Sequence, residues 1–248
     1  MRIVAIDPAP KKRSTVFDGE FRELSSGEIA PVLRELAGAP PVLLCWDSPL
    51  TGPGDPGVAG RRPSDFSQRA IESFFSREST GFKTPAGISV RPYSGCPHWA
   101  ISRSVLGLPR VGPWDADEAD LPFWLLTDGP PPAHEGAYVV EVHPAVAAWL
   151  WCKEDRSAGC SWDYKRDAGV QQEMWEIIRP LGNLPTGIAP ANDDQFDALV
   201  AFILGTRWIS RDGSVELIGS RLAGAMLSPA VAGLSEALSE FVAANWKQ

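Results

Sequence analysis

Five acidic side chains stand where a polypeptide could assemble metal chemistry. Asp7 closes the run Arg2-Ile3-Val4-Ala5-Ile6 and is followed at once by Pro8, and Asp47 closes Val42-Leu43-Leu44-Cys45-Trp46. Glu141 sits near the end of Ala137-Tyr138-Val139-Val140, while Asp194 and Asp197 open the most apolar stretch of the chain, Ala198–Trp208. Strands buried on both faces read as continuous aliphatic runs, and proline ends them because it has no N–H for the ladder. Asp7, Asp47 and Glu141 therefore stand where strands leave a sheet, the edge at which open α/β sheets place their chemistry. Asp194 and Asp197, three apart on a helix, point the same way.

If those acids converge, their charges conflict. Adjacent strands lie about 4.8 Å apart, and carboxylates that close repel one another until some take up protons. A hard divalent cation with a preference for oxygen, Mg²⁺ or Mn²⁺, removes the conflict. Two such ions about 3.5–4 Å apart activate water and stabilise the leaving oxygen in phosphodiester cleavage. Plainer uses compete with this one. Asp7 and Asp47 can each start a turn, and Asp193 and Asp194 in a first helical turn complement the macrodipole by about 0.3–1 kcal/mol. Asp197 at the margin of a buried helix and Glu141 within a valine-rich strand are harder to explain, because an unpaired buried carboxylate is costly. His143 shares a strand face with Glu141 and serves as a ligand, a general base or, most plainly, a rim residue. Lys11, Arg13, Arg61 and Arg62 are candidates for meeting phosphates.

The elements that must carry these residues follow from the pattern. After the first strand, Ser14–Phe17 and Glu20–Leu24 read as strands joined at Asp18-Gly19. A helix capped by Ser25 or Ser26 runs to about Ala37, with Ile29, Val32, Leu33 and Leu36 on one face, and Gly38 ends it. An antiparallel meander, a crossover helix and a strand able to lie parallel beside the first make the opening an α/β arrangement. Residues 48–60 hold four Gly and three Pro and form a loop. A helix is expected over 65–78 and another over 98–106, with irregular chain over 81–97 and a strand or part of a helix over 123–126. The whole of 48–136 reads as an insertion in a single domain spanning 1–248. Further helices are expected over 145–152, from about 164 to 178, and from a capping box at Asn192 and Gln195. A strand (215–218) and a terminal helix (230–246) form an addition over 211–248.

Bulk properties restrict the function. The 248 residues are 44% hydrophobic and 22% charged, ordinary for a globular chain. The formal charge of −8 counts against general attraction to a phosphate backbone, although bound divalent cations would offset acids at one site. The first residues lack a signal-peptide layout and no apolar run reaches membrane-spanning length. Cys45, Cys96, Cys152 and Cys160 form no C-x-x-C pair, so reduced thiols in a cytoplasmic protein are expected.

Four ordered pieces carry a resemblance: Ala5-Ile6-Asp7-Pro8-Ala9-Pro10, Trp46-Asp47-Ser48-Pro49-Leu50, Val140-Glu141-Val142-His143-Pro144 and Asp194-Gln195-Phe196-Asp197-Ala198-Leu199. Together they resemble the predicted RNase H-like nucleases classed as a domain of unknown function. The last piece also looks like the final acidic motif of resolvase-type members of that superfamily. The resemblance implies an RNase H-like mixed five-stranded sheet flanked by helices. Strands one to three form the meander, strands four and five run parallel to the first, and a loop-rich insertion follows strand four. It implies catalytic and metal-binding roles for Asp7, Asp47, Glu141, Asp194 and Asp197, with Mg²⁺ or Mn²⁺ as cofactor and nucleic acid as substrate. Lys165, in Tyr164-Lys165 before a helix, matches a basic position of the same family and joins the phosphate-binding candidates.

Three functions from different classes stay open. One is a metal-dependent nuclease. Another is a small-molecule phosphotransferase or phosphohydrolase on a related fold, against which stands the absence of a glycine-rich phosphate loop after Asp7. The third is a non-catalytic scaffold with a vestigial acidic site, which ten tryptophans would suit.

Overall fold

The computed structural model describes residues 1–9, 12–51, 69–90, 123–131, 135–221 and 223–245. The first apolar run is β1 (Arg2–Asp7), and β2 (Ser14–Phe17) and β3 (Phe21–Leu24) complete an antiparallel meander with it. Helix α1 (Ser26–Ala37) starts at Ser25, whose backbone N–H donates to the Glu28 carboxylate at 2.7 Å. It buries Ile29, Leu33 and Leu36. Strand β4 (Val42–Trp46) then lies parallel to β1, buried along its whole length.

Helix α2 (Ala70–Ser76) begins later than the pattern of 65–78 predicts. Arg69 has extended backbone angles and is the N-cap, its N–H turned to Glu72, so the helix cannot run back through it. The expected helix over 98–106 lies outside the described residues. Two further parallel strands follow, β5 (Trp124–Leu125) and β6 (Ala137–Glu141). Among the described residues the sheet therefore has six strands rather than the expected five, in the order β3-β2-β1-β4-β6-β5. The sixth is the two-residue edge strand β5, within the 123–126 stretch that a run so short left open between strand and helix.

Alternation along the strands divides the core in two. Val4, Ile6, Leu44, Trp46 and Val139 face α1, whereas Ala5, Leu43, Cys45, Tyr138 and Val140 face the later helices. These are α3 (Pro144–Cys152), α4 (Ala168–Ile178) and α5 (Asp193–Ser210). Helix α4 starts after Asp167, whose carboxylate accepts the N–H groups of Gly169 and Val170, leaving Tyr164 and Lys165 in the preceding turn rather than in the helix. Helix α5 starts at Asn192, whose side chain accepts the Gln195 N–H at 2.9 Å. The Gln195 side chain caps Ala191 N–H, one residue upstream of the expected capping box.

Helix α5 lies against β1 and β4 because Gly205 has no side chain there. A Cβ at that position would stand 2.4 Å from Cys45 Sγ and 3.0 Å from Ile3 Cγ2. Past α5, the expected single strand is a hairpin of β7 (Val215–Ser220) and β8 (Gly224–Pro229), followed by α6 (Leu234–Asn245). The hairpin is stitched to the main body, since Ile71 N–H donates to Ala223 O and Val142 bridges Leu227. Among the described residues no helix is long and apolar enough to cross a membrane. Cys45, Cys152 and Cys160 are free thiols.

Candidate metal centre

The register of the parallel strands decides which acids meet. Ile6 pairs with Trp46, and the Asp47 N–H continues the ladder by donating to Ile6 O at 3.0 Å, so Asp7 and Asp47 leave the sheet side by side. The N-terminal turn of α5 lies over the same edge and delivers Asp197. Ligand atoms of Asp7, Asp47 and Asp197 all lie within 4.8 Å of one another. Burial is the main reason that the Asp7 and Asp47 carboxyls are pushed well above the ordinary carboxylate range. For Asp7 the charges of Asp47 and Asp197 add to it, and for Asp47 those of Asp197 and Glu141 do. Among the described residues neither Asp7 nor Asp47 forms an ion pair.

Glu141 lines the same cavity but stands outside the 4.8 Å group. It pairs in register with Trp46, one step back from Asp47, and alternation turns it toward the face of Val139 rather than the face of Asp7 and Asp47. Both of its oxygens are taken by Arg69, through Nη1 at 2.8 Å and through Nη2. Leu50 N–H adds a third bond at 2.7 Å. Burial lifts the Glu141 carboxyl while Arg69 opposes the shift. The same guanidinium binds Glu72 and the Thr51 carbonyl, and Thr51 Oγ1 accepts the Ala225 N–H from the hairpin. A buried Glu72–Arg69–Glu141 network thus fastens the chain just beyond Asp47 to α2, β6 and β8. A charge so paired avoids the large penalty of isolated burial.

The expected basic residues divide. Lys165 Nζ lies 2.6 Å from Asp197 Oδ2, so it stands at the carboxylate group itself. Arg13 instead reaches Glu23 O and Glu28, on the side of the meander, and does not line the cavity. Lys11, Arg61 and Arg62 lie outside the described residues. Asp194 lines the cavity beside the three acids and binds Lys12 Nζ at 2.5 Å through both oxygens. His143 lines the cavity and is half-buried. Burial pushes its imidazole down to about 4, so it is neutral near pH 7, and its Nδ1 lacks a hydrogen-bond partner among the described residues. The buried Ser48 Oγ, next to Asp47, is likewise unpartnered. The cavity as a whole measures about 330 Å³.

Sequence reasoning missed Arg69, Glu72, Thr51 and Lys12 as parts of the site. Three of them come from the stretch read as an insertion, where no periodic signal ties a lone Arg to acids 3 and 72 residues away. Tyr164 drew notice only beside Lys165, although its hydroxyl donates to Asp197 Oδ1 at 2.5 Å.

Residues 125–223 match the model of a family described as "Protein of unknown function (DUF429)". The match holds β6 and Glu141, Tyr164 and Lys165, and both Asp194 and Asp197, while Asp7 and Asp47 lie upstream of it. No curated protein and no solved structure matches the chain.

Proposed function

We propose that this protein is a metal-dependent phosphodiester hydrolase of the RNase H-like kind, with nucleic acid as its substrate. The observation that carries the reading is the meeting of Asp7, Asp47 and Asp197 from two neighbouring strands and a helix within 4.8 Å. The donor set suits Mg²⁺ or Mn²⁺: all its atoms are carboxylate oxygens, and among the described residues buried Asp7 and half-buried Asp47 have no cation of their own. Asp7, Asp47 and Asp197 would hold the metal, whose chemistry when bound is Lewis acidity toward phosphate and activation of water. Asp194 extends the acidic edge. Lys12 and Lys165 supply positive charge beside it, where a phosphate oxygen can accept from an ammonium. Neutral His143 offers a ring nitrogen that accepts or donates a proton inside the cavity. The Arg69 network holds the segment carrying Asp47 in place, the supporting role that outer residues play around metal ligands.

The size of the cavity favours a second reading. About 330 Å³ lies within the range of roughly 300–1,000 Å³ typical of small-molecule pockets, which suits a compact phosphate ester. Calorimetric titration with Mn²⁺ tests the shared premise: the wild-type chain binds, whereas Asp7→Asn and Asp47→Asn do not. Incubating the loaded protein with single-stranded, double-stranded and branched DNA and RNA, beside small phosphate esters, separates the two readings. A chain that binds metal and leaves every substrate intact would instead be a scaffold.

A further inference from the structure

Two consecutive residues grip the Asp197 carboxylate, one oxygen each. Tyr164 Oη donates to Oδ1 at 2.5 Å, and Lys165 Nζ donates to Oδ2 at 2.6 Å. The two grips differ in mobility. Tyr164 is 1% exposed and packs on Phe196, with ring centroids 4.8 Å apart, so its hydroxyl is fixed by the core. The Lys165 side chain is 44% exposed and ends on a flexible stem, its ammonium 5.5 Å from the centre of the Tyr164 ring. They also differ in charge. Burial and the neighbouring Asp197 hold the Tyr164 phenol in its neutral form. Lys165 is a full positive charge facing Asp197, Asp47 and Asp7 together.

A neutral donor on one carboxylate oxygen orients the group and leaves lone pairs for a metal. An ammonium on the other oxygen fills the place of a cation and repels any that arrives. We propose that Tyr164 is the positioning residue that aims Asp197 at a divalent cation, while Lys165 is a resident counter-ion that the cation displaces and the substrate phosphate then receives. This rests on the metal-dependent reading above. It assigns opposite effects on metal affinity to adjacent side chains, a pattern that loss of structure would not produce.

The test is calorimetric titration of the full chain with MnCl₂ at pH 7.5, comparing wild type with Tyr164→Phe, Lys165→Met and Lys165→Gln. Thermal denaturation of each variant shows whether it is folded. Tyr164→Phe is expected to weaken Mn²⁺ binding by about 10- to 100-fold, the range typical of lost support to a ligand. Both Lys165 variants are expected to tighten it by about tenfold, through removal of a like charge beside the site. Titrating the Mn²⁺-loaded proteins with inorganic phosphate should show weaker binding in the Lys165 variants. Lys165 variants with unchanged or weaker Mn²⁺ binding, or with unchanged phosphate binding, would overturn the displacement. A Tyr164→Phe chain that binds like wild type would overturn the positioning role. A wild-type chain that binds no Mn²⁺ would overturn this inference together with the reading beneath it.

Discussion

Arg69 holds Glu141 through both terminal nitrogens of its guanidinium, and the two side chains are sealed in the protein at 1% and 3% exposure. Glu141 lines the same cavity as Asp7, Asp47 and Asp197 but stands outside their 4.8 Å group. Its pairing with Arg69 explains how a carboxylate can sit at the end of a valine-rich strand. The guanidinium takes Glu72 as a second partner.

Glu141→Gln should therefore lower stability far more than metal affinity. Breaking one side of a buried ion pair costs about 3–5 kcal/mol, and glutamine keeps part of the hydrogen bonding. A fall of about 5–10 °C in the midpoint of thermal unfolding is expected. Mn²⁺ affinity should fall by about tenfold at most, the low end of the range for outer supporting residues, since Glu141 holds only the segment after Asp47. Calorimetry on the variant decides the matter: a loss of Mn²⁺ binding as complete as in Asp47→Asn would place Glu141 among the ligands.

The raised carboxyls of Asp7 and Asp47 make metal-free stability fall with increasing pH. In the folded chain they hold protons more tightly than at the ordinary value of 3.8. Their contribution is full below that value and is lost as pH rises through the higher folded values. In EDTA at pH 7.5, Asp47→Asn should unfold a few degrees above wild type, the size of shift that about 1 kcal/mol produces in a chain of this length. The gap should close toward pH 4. Adding Mn²⁺ should reverse the order, because only wild type gains from binding. Melting curves at the two pH values, with and without Mn²⁺, would refute the account if Asp47→Asn were the less stable chain in EDTA at pH 7.5.

Gly205→Ala should be destabilising despite the better helix propensity of alanine. Its methyl would press on Cys45 Sγ and Ile3 Cγ2, and α5 would have to lift from β1 and β4. Overpacking of this kind costs about 1–3 kcal/mol, more than the roughly 1 kcal/mol gained from replacing glycine inside a helix. Denaturant titration should show a lower midpoint. Because α5 also carries Asp197, Mn²⁺ affinity should weaken as well. A Gly205→Ala chain as stable as wild type would mean that the helix has room to spare.

Most of the frame was written in local patterns. Continuous apolar runs marked β1, β4 and β6, Asp18-Gly19 marked the β2–β3 turn, and Ser25, Gly38 and Asn192 marked helix ends, because each depends on neighbours within a few residues. Asp7 and Asp47 were legible as partners because both close a run of the same type. The hairpin strand β8 was not, and the edge strand β5 was legible only as a strand or part of a helix. Gly224 to Pro229 lacks a polar–apolar alternation since all six residues are buried, and two residues of β5 form no period.

What the tertiary structure alone decided is the register and the counter-charges. Glu141 looks like Asp7 and Asp47 along the chain, yet pairing it with Trp46 instead of Asp47 sets it one residue back. A single step along a strand reverses the direction of the side chain. Long-range contact then supplied each remaining charge with its partner, Arg69 for Glu141, Lys165 for Asp197 and Lys12 for Asp194. The sequence determined which carboxylates reach the sheet edge, because strand ends are set locally. Only folding selected the three that share a centre, because that choice depends on how separate segments align.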